Sequence, residues 1–76
     1  MTNSNFPDWA VVQTRKASYP TGDRVELVSM EDPFTTLKPG DQGTVDHVDD
    51  CGTVHISWDC GSSLGAVYGI DRIRKI

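Results

Sequence analysis

Val54, Ile56 and Trp58 alternate with His55 and Ser57, the period of a strand with one buried face. This pattern places a strand over residues 53–58. A similar alternation over residues 24–30 turns Val25 and Leu27 inward and Arg24 and Glu26 outward. Residues 43–49 read as another strand, but Val45 and Val48 differ in parity, which predicts a bulge or a strong twist between them. Two more short strands are predicted over residues 63–67 and 72–76, with a single 3₁₀ turn at Tyr68-Gly69-Ile70-Asp71 between them. Thr21-Gly22-Asp23, Asp50-Cys51-Gly52 and Asp59-Cys60-Gly61-Ser62 are turns, with Gly61 supplying positive φ and Asp59 closing its turn onto the backbone. Residues 31–40 hold Pro33, Pro39 and Gly40 and must loop, with Phe34 and Leu37 folding back over the core.

Ahead of these strands, residues 7–17 carry Trp9, Val12 and Lys16 at helical spacing. Asn5 suits the cap, Pro7 the first turn, and Arg15 and Lys16 the C-terminal end, where cations oppose the dipole. Tyr19-Pro20 ends the helix, whose expected role is to lay Trp9 over an open end or edge of the sheet. The chain thus divides into a polar tail with a short helix, residues 1–19, and a β-rich body, residues 20–76. Five short strands, frequent turns, one long early loop and a 3₁₀ turn before the last strand form the layout of an SH3-like barrel. The expected fold is mostly β: a small five-stranded SH3-like barrel with a short N-terminal α-helix. Closure would limit exposed strand edges.

A set of ordered motifs extends this reading. Tyr19-Pro20-Thr21-Gly22-Asp23-Arg24-Val25-Glu26-Leu27-Val28 comes first, then Met30-Glu31-Asp32-Pro33 and Leu37-Lys38-Pro39-Gly40-Asp41-Gln42-Gly43-Thr44-Val45. Val48-Asp49-Asp50, Trp58-Asp59-Cys60-Gly61-Ser62-Ser63-Leu64 and Val67-Tyr68-Gly69-Ile70-Asp71 follow. Over residues 18–76 this order resembles a family of small bacterial and phage proteins that carries only a domain-of-unknown-function label. The resemblance implies an SH3-like barrel and a home in phage or mobile-element genomes, and it brings no catalytic or binding residues. Cys60 stands where that pattern has a turn-friendly Asn, and Gly65 where it has a larger residue. The Gly-Thr-Val unit and the Trp-Asp-x-Gly pair are more distantly similar to KOW and Tudor barrels, a likeness of architecture that transfers no function.

Charge and chemistry then narrow the function. At 76 residues and 37% hydrophobic, the chain supports one compact core, small by the standards of folded domains. The formal net charge of −4 opposes general binding to nucleic-acid backbones. Glu31, Asp32, Asp46, Asp49, Asp50 and Asp59 are read as an acidic rim that docks a basic protein partner. EF-hand spacing and its distal Glu are absent, so no metal is assigned to them. Tyr68, Arg72, Arg74 and Lys75, joined by Arg15 and Lys16 if the helix packs beside the last strand, form the alternative face, for nucleic acid or a nucleotide. His47 and His55 fall on neighbouring strands, face each other across the hairpin and point outward; two such ligands do not make a tight metal site.

Cys51 and Cys60 flank the strand at 53–58; extended at about 3.3 Å per residue it separates them by roughly 30 Å, beyond the ~7 Å that a disulfide allows. They are read as free thiols. No GxSxG elbow, phosphate loop or triad context is present, so no catalytic residue and no cofactor is assigned. No apolar run is long enough to span a bilayer and no signal-peptide pattern opens the chain, so the expected setting is cytoplasmic. Self-association stays open. The sequence-level expectation is a non-enzymatic protein-binding module of phage or mobile-element origin, one concrete form being an inhibitor of a host defence system. The nucleotide or nucleic-acid face is the alternative.

Overall fold

The computed structural model describes residues 9–31 and 35–76. Asn5, Phe6, Pro7, Asp32 and Phe34 lie outside the described residues. Helix α1 (Trp9–Ser18) is followed by strands β1 (Arg24–Ser29), β2 (Gln42–Val48), β3 (Val54–Trp58) and β4 (Arg72–Lys75). The four strands form one antiparallel sheet in the order β3-β2-β1-β4. The fold is mostly β: an open four-stranded sheet with one short helix.

The alternation read in the sequence sets the core. Val25, Leu27, Val45, Val48, Val54, Ile56 and Trp58 are buried on one side of the sheet, with Leu37 and Ala66 from the loops. Trp58 continues the inward face of β3, and its Nε1 donates 2.7 Å to the Leu64 carbonyl. That bond satisfies the indole N–H, which a buried Trp needs. The parity change in β2 is a register shift between Val45 and His47, which returns Val48 to the core.

Residues 63–67 do not form the expected strand. A single bridge pairs Ala66 with Val54, Ala66 N donating 2.8 Å to Val54 O and Val54 N donating 3.0 Å to Ala66 O. At Gly65, a Cβ would come within 2.8 Å of Thr53 Cγ2, so the chain approaches too closely there for a larger side chain. Gly43 shows the same close approach in β2: a Cβ would lie 2.6 Å from Ile56 Cγ2 and 2.9 Å from Ser57 O.

Helix α1 buries Val12 alone, and its C-terminal end is tied to the β2–β3 turn. Arg15 Nε donates 2.7 Å to Gly52 O, and Lys16 Nζ lies 3.1 Å from Asp50 Oδ1. Trp9 does not cover the sheet as expected; it is 66% exposed.

A turn forms at residues 68–71, looser than the expected 3₁₀ turn: Ile70 N donates 3.2 Å and Asp71 N 3.0 Å to Val67 O, the shorter bond spanning four residues. Asp71 organises it: Oδ2 accepts from Val67 N and Oδ1 from Glu31 N, each at 3.0 Å. This turn delivers the chain to β4 beside β1.

Candidate functional site

Four carboxylates of the acidic rim, Asp46, Asp49, Asp50 and Asp59, are engaged from within the chain. Asp49 Oδ1 accepts from Cys51 N and Thr53 N, and its Oδ2 lies 2.8 Å from His55 Nε2. Burial pushes its carboxyl up, yet the hydrogen bonds from His55, Thr53 and Cys51 outweigh burial and hold it below the usual carboxylate range. Asp46 Oδ2 accepts from Ser57 Oγ at 3.0 Å, and Asp50 pairs with Lys16. Asp59 sits past the opposite end of β3. Instead of closing its own turn, it takes a two-pronged contact from Arg24 at 2.8 and 2.6 Å. The Arg24 hydrogen bond lowers the Asp59 carboxyl and raises the Arg24 guanidinium in turn. Glu31 is exposed near Asp71, and Asp32 lies outside the described residues.

His47 and His55 meet across the β2–β3 hairpin as expected, their rings stacked 4.4 Å apart at 7°. Cys51 and Cys60 are exposed, free thiols. Among the described residues no cluster of three or more His, Cys, Asp or Glu is arranged to hold a metal ion.

The basic face also divides. Arg74 pairs with Glu26 at 2.8 Å and Lys75 with Asp23 at 2.8 Å, each across to β1 or its approach. Lys16 is held at the hairpin. Arg72 and Tyr68 come together with Arg15 and Tyr19 around a cavity of about 440 Å³, completed by Val28, Gly69, Asp71 and Ile73. Its size lies in the range of small-molecule sites, roughly 300–1,000 Å³.

Arg15 is the centre of this groove. Its guanidinium carbon lies 5.5 Å from the Tyr19 ring centroid and 5.1 Å from that of Tyr68, within cation–π reach of both. Its Nη2 is buried and has no hydrogen-bond partner among the described residues. A buried donor left unpaired costs about 1–3 kcal/mol, more when charged. Asp71 lies in the same wall, but both its oxygens accept from backbone N–H groups. Among the described residues Arg72 makes no ion pair. The groove therefore offers two cations and two aromatic rings, and the unmet Arg15 Nη2 donor is enclosed within the protein. The sequence pointed to Tyr68 and Arg72, joined Arg15 to them on condition that the helix packs beside the last strand, and treated Tyr19 only as a stop. The signal for the missed Tyr19 is its (i, i+4) spacing from Arg15, which places the two one turn apart.

Residues 9–76 match the model of a family described as a domain of unknown function, DUF4314. The chain belongs to that family. The match takes in helix α1 as well as the sheet, so Arg15 and Tyr19 lie within the family's span together with Tyr68 and Arg72. No curated protein matches the chain, and no solved structure does. Among the described residues, no helix of this DUF4314 chain is long and apolar enough to cross a membrane.

Proposed function

We propose that this DUF4314 chain is a non-enzymatic binding module of SH3-like architecture whose ligand is a nucleotide unit, free or at the end of a single strand, held in the Arg15–Tyr19–Tyr68–Arg72 groove. The observation that carries this reading is the buried, unpaired Arg15 Nη2 beside two tyrosine rings and Arg72. A phosphate supplies a counter-charge for Arg72 and, once the Arg15 side chain turns its enclosed Nη2 outward, the acceptor that Arg15 lacks, and a base supplies a π-face for tyrosine. The barrel assignment is supported by the antiparallel order, the Val54–Ala66 bridge and the hydrogen-bonded turn before β4.

Docking of the acidic rim on a basic protein of a phage host, including an anti-defence role, draws less support. Asp46, Asp49, Asp50 and Asp59 each engage a partner within the chain, and Asp49 and Asp50 stand at the opposite end of β3 from Asp59. A cytoplasmic setting and a phage or mobile-element home accord with the nucleotide reading equally well.

The test is calorimetric titration with AMP and with a short oligothymidylate at low and physiological salt, on the wild type and on Arg72→Ala. The expected result is binding at low salt that weakens on adding salt, as contacts to phosphate do, and that falls about tenfold or more in Arg72→Ala, the scale of a charged hydrogen bond. No binding of either ligand at millimolar concentration overturns the reading.

A further inference from the structure

Tyr68 belongs to two hollows. On one side is the cationic cavity already described. On the other is a second, about 330 Å³, lined by Ala10, Val11, Thr14, Arg15 and Tyr68. Arg15 and Tyr68 thus form a partition between a half rich in charge and a half lined by the outer surface of α1. The second half carries little polar chemistry. The Thr14 hydroxyl donates 2.9 Å to Ala10 O in its own helix, and Ala10 and Val11 present only methyl groups. Tyr68 is 42% exposed, so part of its ring is open to a ligand.

We infer that a single nucleotide bridges this partition, its phosphate on Arg15 and Arg72 and its base in the α1 hollow against Tyr68, and that the site does not read which base it holds. The inference rests on the groove reading above and adds the ligand's size, its orientation and its lack of base specificity. Base identity is read by donors and acceptors aligned with the base edge, and the α1 hollow lacks such a set among the described residues. Stacking is tolerant of sequence because every base has a π-face. Two cations on one side and methyl groups on the other demand a ligand that is anionic at one end and flat and apolar at the other. Inorganic phosphate would fill only the first half, and a nucleoside only the second.

The experiment compares AMP, UMP, adenosine and inorganic phosphate by calorimetry on the wild type and on Ala10→Trp, whose indole would fill the α1 hollow from an exposed helix position. The expected wild-type order is AMP about tenfold or more tighter than phosphate, the scale of one base–aromatic stack. AMP and UMP should lie within about fivefold of each other on the same grounds. Ala10→Trp should reduce AMP to the affinity of phosphate, and AMP that keeps its advantage in a folded Ala10→Trp overturns the placement of the base. AMP no tighter than phosphate in the wild type overturns the inference while leaving the cationic groove standing. So does discrimination of AMP from UMP by much more than that margin, which removes the claim of base indifference. If neither phosphate nor AMP binds, the groove reading itself fails. The wild-type comparison decides the matter even if Ala10→Trp does not fold.

Discussion

At the scale of single residues, Asp49 holds together the β2–β3 turn. It accepts from two backbone N–H groups and from one imidazole, so Asp49→Ala should cost about 1–3 kcal/mol by leaving partly buried donors unpaired, read as a lower urea midpoint with unchanged slope. Its hydrogen bonds also give the protein an acid limb. Asp49 and Asp59 both ionise below the usual range in the folded chain. Their contribution is therefore fully present above the unfolded carboxyl value of about 3.9 and is lost as pH falls through the lower folded values. Stability should decline as pH falls below about 3.9, and the decline should be shallower in Asp49→Ala; an identical acid limb in the variant contradicts the assignment. Gly43 is the other residue with no slack. A methyl there meets Ile56, Ser57 and Trp58 at 2.6–3.0 Å, so Gly43→Ala should destabilise by about 1–3 kcal/mol, the usual cost of overpacking, measured by thermal or urea unfolding.

At the scale of elements, β1, β2 and β3 were legible because each carries a stretch of period-2 burial, most plainly Val54, Ile56 and Trp58, whereas β4 half-buries Ile73 alone. The β2 bulge was legible from the parity of Val45 and Val48 alone. The segment before the 68–71 turn was not, because Ala66 pairs through one bridge and Gly65 is fixed by a steric approach from Thr53 that no local pattern encodes. The helix was legible in position and misread in role. Its one buried residue is Val12, and Trp9 is exposed. Val12→Ala should therefore loosen α1 from β2 at a cost of about 2 kcal/mol, from two lost methyl groups and the hollow they leave. Amide exchange should accelerate across residues 9–18 before it does in β2 and β3; uniform acceleration would mean that the helix and sheet open together.

At the scale of the whole molecule, what sequence could not reveal is which charges cancel. Seven basic and eleven acidic residues give a net charge of −4, but pairing across the sheet sorts them. Arg24 takes Asp59, Arg74 takes Glu26, Lys75 takes Asp23 and Lys16 takes Asp50. These are surface pairs worth little to stability individually. Their consequence is positional, since they neutralise Asp50 and Asp59 of the acidic rim and most of the basic face, and leave Arg15 and Arg72 at the groove. One groove on a negatively charged body should grip one nucleotide unit and gain little from a longer strand. A ten-nucleotide oligothymidylate should accordingly bind no more than a few-fold tighter than a mononucleotide at equal salt, because beyond the groove every described cation except Lys38 is already paired within the chain. The measurement that bears most directly on this account is an amide and arginine side-chain NMR titration with AMP. The account expects the largest shifts at Tyr68, Gly69, Arg72 and the Arg15 Nε–H. Shifts concentrated on residues 46–50, or none at millimolar AMP, would contradict it.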